Sequence, residues 1–338
     1  MFGFSLTDYD KKVYEEELYD FLPENIVDSH THVYKKENKI ITGAPVYWPA
    51  RVAEDCTLED LKQTYLDLFP GKKVVPVMFG NPESYLERDN AYVSEKSRES
   101  GYPGLLLTHY DMTEEYVENA VISGGFQGLK PYLNNCKAGV AGANAGIFDF
   151  LPHHHLKLAD KYGWKVVLHM SKPARLRDEG NIRDLMEIEE KYPNVKLIVA
   201  HIGRAYAPED LGNAFDTLRH TKNMMFDFCA NTLTPAIEEC INAVGTKRVL
   251  FGTDMPIAKM RMYRISEDGN YINVVPRGLY GDLTGAAHMR ETDEKNVTNF
   301  AYEILRAFKR CATNLSLSKD EIADIMCNNA ANLYGIKF

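Results

Sequence analysis

A (β/α)8 barrel is the fold class predicted by this 338-residue sequence, and three features carry the prediction. Eight short apolar runs alternate with helix-like segments between residues 26 and 254. Each run is short and continuous rather than alternating, as strands of a parallel sheet buried on both faces are. Several runs close on histidine or aspartate, and in a barrel all strand ends open onto one face. A doubly wound open sheet is the rival architecture, but no GxGxxG follows the first run.

The elements follow in order. Residues 1–25 form an N-terminal helical extension, with Tyr9, Tyr14, Leu18, Phe21 and Leu22 spaced for a short amphipathic helix. Such a helix suits either a plug for the barrel or a contact with a second subunit. The remaining residues, 26–338, are expected to form a single barrel domain. Its first strand is Ile26-Val27-Asp28-Ser29-His30-Thr31-His32. An irregular stretch follows, carrying Tyr47, Trp48 and Arg51. Thr57 reads as an N-cap, with Asp60 three residues on, for a helix through Phe69. Residues 73–79 read as the second strand, weakened by Pro76, and a helix over about 82–100 stops at Gly101. Further strands are expected at 104–109, 128–133, 165–169, 195–201, 224–228 and 248–254, with helices at 113–122, 181–191, 211–219 and 234–244. A long loop at about 255–293 precedes helices at 295–312 and 318–334. Its length suits a lid or a subunit contact better than a simple connection.

Composition narrows the function classes. A formal net charge of -9 argues against nucleic acid or an anionic membrane as partner. No basic n-region opens the sequence and no apolar run approaches the ~18 residues of a membrane span, so neither a signal peptide nor a transmembrane segment is expected. The six cysteines show no CxxC spacing, which predicts reduced core thiols and a cytoplasmic protein.

The chemistry gathers at the strand ends. His30 and His32 lie two apart on a strand, so both imidazoles project to one side and reach one ion. Lys130 lies in the fourth strand, His169 ends the fifth, His201 the sixth and Asp254 the eighth. Any one of them alone reads as a core histidine or a capping aspartate; the set, converging by strand order, reads as a catalytic mouth. Arg204 and Arg175 sit in strand-to-helix loops where either could clamp an anionic substrate, or be a plain surface arginine. Trp48 and Arg51 could wall the site or anchor their loop. His109 ends the third strand, facing either the mouth or the core. His153, His154 and His155 face different ways on a helix and read as surface residues.

The ordered set HxH, Lys, His, His, Asp resembles the amidohydrolase superfamily of metal-dependent hydrolases. Val27-Asp28-Ser29-His30-Thr31-His32, Ala200-His201-Ile202-Gly203, Leu250-Phe251-Gly252-Thr253-Asp254-Met255-Pro256 and Asn329-Ala330-Ala331-Asn332-Leu333-Tyr334 resemble its amidohydrolase-related branch, over about 26–336. That branch includes aminocarboxymuconate-semialdehyde decarboxylase, benzoate-type decarboxylases, and lactone and meta-cleavage-product hydrolases. The resemblance implies that His30, His32, His169 and Asp254 hold one divalent ion, most often zinc, and this donor set suits Zn2+. It also implies that Asp254 takes a proton from the attacking water and that His201 activates the water rather than binding metal. Lys130 has three readings: a carboxylated lysine bridging a second metal, an unmodified lysine gripping a substrate carboxylate, or a structural ion pair. The substrate-gripping reading is preferred. The expected activity is a metal-dependent hydrolase acting on a carbonyl carbon of a small, carboxylate-bearing ester, lactone, amide or C–C substrate. A non-oxidative decarboxylase of an aromatic or enoic acid is the alternative, and a metal-retaining barrel without catalysis the third. A homodimer is the expected association.

Overall fold

The computed structural model describes residues 5–40 and 52–338, and eight parallel strands organise it. They are β1 (Asn25–His32), β2 (Lys73–Phe79), β3 (Leu106–Thr108), β4 (Gly128–Pro131), β5 (Lys165–Leu168), β6 (Lys196–Val199), β7 (Met225–Asp227) and β8 (Val249–Leu250). β1 pairs with β2, and β3 to β8 form one six-stranded sheet in chain order. Single bridges rather than full ladders cross the two seams. Met78 pairs with Gly104 between β2 and β3, and Thr31 with Met255 between β1 and the end of β8. The second seam is reinforced where Ser29 N donates to the Phe251 carbonyl at 3.0 Å and Asp254 N to that of His30 at 2.9 Å. The strands thus form the ring of a (β/α)8 barrel, the fold that their continuous burial predicts.

Local chemistry explains where the expected elements hold. Thr57 Oγ1 accepts from Asp60 N at 3.1 Å and opens the helix Leu58–Leu68. Gly101, at φ 74°, ends the helix Leu86–Ser100. Pro76 is tolerated in β2 because the neighbouring strand on its far side is met only at Met78, so no ladder bond is lost there. Gly128 is required in β4: a Cβ there would lie 1.9 Å from the Lys165 carbonyl oxygen, barring the pairing with β5. Helix 211–219 is cut to Ala214–Leu218 behind Gly212, which sits at φ 49°.

Two layers of core result. An inner cluster joins Val27, Val77, Leu105, Val167, Ile198 and Leu250 to Cys327, Ala330 and Tyr334. Gln127 Nε2 donates to the Tyr334 carbonyl at 3.1 Å, so the final helix, Asn329–Tyr334, closes the amino-terminal ends of the strands. The N-terminal helix Asp8–Val13 does not plug the barrel. With the turns after it, this segment packs on helix Phe300–Asn314, stacking Tyr14 on Tyr302 at 5.9 Å and Phe21 against Phe308 at 5.7 Å. All six cysteines are free thiols and five are buried. Among the described residues no helix is long and apolar enough to cross a membrane.

The stretch expected as a long loop at 255–293 departs most from expectation. It folds into a sheet of β9 (Tyr263–Glu267), β10 (Asn270–Pro276) and β11 (Met289–Thr292), in the order β11-β10-β9. Asp268 and Gly269, at φ 49° and 73°, turn the β9–β10 hairpin. The Asp-Gly pair between alternating apolar residues is the hairpin signal that length alone obscured. His155 also differs from the surface reading: it is fully buried, Nε2 donating to the Met112 carbonyl at 2.9 Å.

Candidate functional site

β1 presents His30 and His32, and their outer nitrogens are tied down. His30 Nδ1 donates to the Asp227 carboxylate at 2.9 Å, and His32 Nδ1 to the Gly80 carbonyl at 2.8 Å. His201 Nδ1 likewise donates to the Cys229 carbonyl at 3.0 Å. A neutral imidazole carries one N–H, so these bonds leave each Nε2 with its lone pair. Asp254 Oδ1 lies 3.6 Å from His30 Nε2 and 3.4 Å from His32 Nε2. Among the described residues, His30, His32 and Asp254 bring ligand atoms within 4.8 Å of one another, as do His30, His201 and Cys229. Two anchored imidazoles beside a carboxylate are a donor set that fits a divalent ion.

Backbone geometry at the strand ends aims these groups. Gly252 lets the end of β8 approach β1, because a Cβ there would meet that of His30 at 2.8 Å. After β6 the chain makes a left-handed turn, with His201, Ile202, Gly203 and Arg204 at φ 58°, 49°, 61° and 65°. Asp254 is left-handed too, at φ 63°. Such conformations are costly for residues with side chains, and they concentrate where a site dictates direction.

The remaining sequence-derived candidates fall in different places. His169 lines the pocket above the cluster, its ring 5.2 Å from that of His201, and its buried Nδ1 has no hydrogen-bond partner among the described residues. It belongs to neither close-set group. Lys130 is fully buried, with Nζ 3.2 Å from His30 Nε2 and 4.6 Å from the centre of the Phe79 ring. Arg204 lines the pocket, whereas Arg175 turns away to pair with Asp210 at 2.6 Å. Trp48 and Arg51 lie outside the described residues. His109 is half-buried, its Nδ1 accepting from Asp111 N at 3.2 Å.

Three functional neighbours escaped the sequence reading. Asp227 ends β7 and receives both His30 Nδ1 and, at 2.7 Å, His201 N. It obeys the same strand-end rule as the histidines, and that rule would have found it. Cys229 sits between the imidazoles, Sγ 2.8 Å from Asp227 Oδ1. Arg264, on β9, lines the pocket and became visible only with the hairpin.

The electrostatics favour neutral imidazoles and ionised carboxylates. Burial pushes His30 down to about 3, and the Lys130 charge adds to it. Burial also lowers His169 and His201. Burial would raise Asp254 and Asp227, but the surrounding histidines outweigh it and hold both below the usual carboxylate range. Lys130 is pushed down to about 8 by burial. Neutral nitrogen and anionic oxygen are the protonation states that metal binding requires. The pocket above them has a volume of about 260 Å³.

A family model described as amidohydrolase matches residues 27–336. A search of the curated proteins finds no match. Similar solved structures include a probable 2-pyrone-4,6-dicarboxylic acid hydrolase from Acinetobacter baumannii, 15% identical with a TM-score of 0.58, covering 92% of this chain and 100% of that one. An amidohydrolase from Burkholderia multivorans with bound zinc is 12% identical with a TM-score of 0.59, covering 92% and 99%. A 2,6-dihydroxybenzoate decarboxylase from Rhizobium is 12% identical with a TM-score of 0.56, covering 93% and 99%. At such identities the likeness bears on the fold alone, and it is the family match along nearly the whole chain that places this protein in the amidohydrolase family of (β/α)8-barrel enzymes.

Proposed function

We propose that the protein is a metal-dependent hydrolase acting at a carbonyl carbon of a small, carboxylate-bearing ester, lactone, amide or C–C substrate. The observation that carries this reading is the common orientation of His30, His32 and His201, each with Nδ1 held by an acceptor so that Nε2 keeps its lone pair, with the Nε2 atoms of His30 and His32 beside Asp254. His30, His32, His169 and Asp254 would hold one divalent ion, zinc in the first instance, which when bound supplies Lewis acidity and lowers the pKa of water toward ~7. The zinc in the Burkholderia multivorans amidohydrolase supports that choice.

The chain's own residues supply the rest. Asp254, kept ionised, accepts the proton that the attacking water sheds. His201, kept neutral with its Nδ1–H locked on Cys229, offers Nε2 as the second base or polarising group. Arg204, which lines the pocket, would pair with a substrate carboxylate. Lys130 lies beneath the lining and close to the charges of Asp227 and Asp254, which favours an internal ion partner over direct substrate contact.

Non-oxidative decarboxylation is the second reading. The same site would serve it, the Rhizobium decarboxylase shares the fold, and arginines on the pocket lining suit an acid substrate. Elemental analysis of protein purified without added metal, paired with assays on lactones and aromatic acids, tests both. About one zinc per chain and acid release without CO2 are expected. Release of CO2 would transfer the site to the lyase reading, and turnover that survives complete metal removal would sink both.

A further inference from the structure

Arg264, on β9, is held in the pocket by residues of the β9–β11 sheet together with the segments that follow β6 and β7. Its Cζ lies 4.4 Å from the centre of the Tyr206 ring and 4.8 Å from that of Tyr271, which is itself on β10. Nε donates to Asn273 Oδ1 at 2.9 Å, and Nη1 to the Ala230 carbonyl at 2.7 Å. With the Phe300 ring at 5.2 Å, three rings and two hydrogen bonds fix the guanidinium, while Nη2 makes no hydrogen bond among the described residues. Arg175 lies over the same two rings but is neutralised by Asp210 at 2.6 Å. Arg264 has no such ion pair among the described residues.

The same holds for the other cations on this pocket. Among the described residues Arg204 donates a hydrogen bond only to the Met170 carbonyl, at 3.3 Å, and Lys39 only to the Ala53 carbonyl, at 3.3 Å. Neither forms an ion pair among the described residues. Asp254 and Glu83 are the acids on the lining, and Asp254 belongs to the candidate metal cluster. A divalent ion there would add to the positive excess. Arg264 and Arg204 are half-buried cations without a counter-charge among the described residues, and a fixed fork of N–H donors fits a carboxylate.

We infer that Arg264, together with Arg204, forms an anion-binding subsite carried by the β9–β11 insertion, and that it selects dicarboxylate substrates bearing one carboxylate apart from the reacting group. The inference rests on the proposed function only for where the reacting group sits. Specificity follows from the same physics. A monocarboxylate engaged elsewhere in the pocket leaves Arg264 without its partner, and a site built for a charge rejects the ligand that lacks it.

Titration calorimetry on the zinc-loaded protein tests this with isophthalate against benzoate and glutarate against butyrate. At least one dicarboxylate is expected to bind roughly ten- to a hundredfold tighter than its monoacid, the span of one charge-assisted contact. Arg264→Gln should abolish that preference. Because Arg264 also bonds Asn273 and Ala230, melting curves accompany the titration. Arg204→Gln, which loses a single long hydrogen bond, provides an independent variant that should weaken the same preference. Equal affinities in the parent protein, or a preference that survives both substitutions, would overturn the subsite. Binding needs no turnover, so the two proposals separate. A dicarboxylate preference in a protein inert toward every acyl substrate upholds the subsite while the hydrolase fails; turnover of monoacid substrates without the preference does the reverse.

Discussion

At the scale of single residues, the site depends on which nitrogen of each imidazole carries the proton. Asp227 decides this for His30, and its charge is stabilised in turn by His30 and His201. Asp227→Asn keeps the shape and removes the charge, and should weaken zinc binding about 10- to 100-fold in a chelator competition. Asp254→Asn is expected to abolish turnover while far-UV circular dichroism stays unchanged; an active variant would remove its role as base. His30→Ala should lower metal content and activity together. His201→Ala should retain the metal but lose about 10²-fold or more in rate, the usual worth of a positioned base. Loss of metal in that variant would make His201 a ligand.

At the scale of elements, one buried ion pair ties the N-terminal helix to the segments after β8. Asp10 is fully buried, pairs with Arg261 at 2.6 Å and accepts from Asn299 N at 2.9 Å. Burial alone would raise the Asp10 carboxyl, but Arg261 and the backbone donors outweigh it and hold it low. A depressed folded pKa means the stabilisation is complete above the unfolded carboxylate value and drains away as pH falls through the folded one. Asp10→Asn should therefore cost about 3 kcal/mol in urea unfolding near neutral pH, as expected when one partner of a buried pair is removed. The deficit should begin to shrink below about pH 4, where the aspartate of the unfolded chain takes up its proton, and vanish as pH falls through the lower folded value. A deficit independent of pH would assign the effect to packing.

At the scale of the whole molecule, the proposed ion would add to a barrel whose core does not depend on it. The inner cluster, closed by Tyr334, does not include the site histidines, so the fold should outlast metal removal. Dialysis against dipicolinate is expected to leave the circular dichroism intact at 25 °C yet lower the melting temperature. An ion that binds only the folded state contributes about 4 kcal/mol when free ion exceeds its Kd about a thousandfold. No shift would mean that the strand-end cluster does not bind the ion.

The barrel was legible in the sequence because burial on both faces forces each strand to be a continuous apolar run, and such a run needs no knowledge of its neighbours. The positions of His30, His32, His169, His201 and Asp254 were legible for the same reason, since a strand's end is a local feature. Directions were not. Whether Lys130 faces solvent or His30, and whether Arg175 meets a substrate or Asp210, depends on register and on residues far along the chain. Only the fold brought Asp227 to His30, 197 residues away, and swung Arg264 from its hairpin into the pocket. The sequence by itself determined the barrel and the histidines and aspartate that end its strands. Tertiary structure decided which of them face one another, because hydrogen-bond partners and burial are properties of packed neighbours rather than of any one segment.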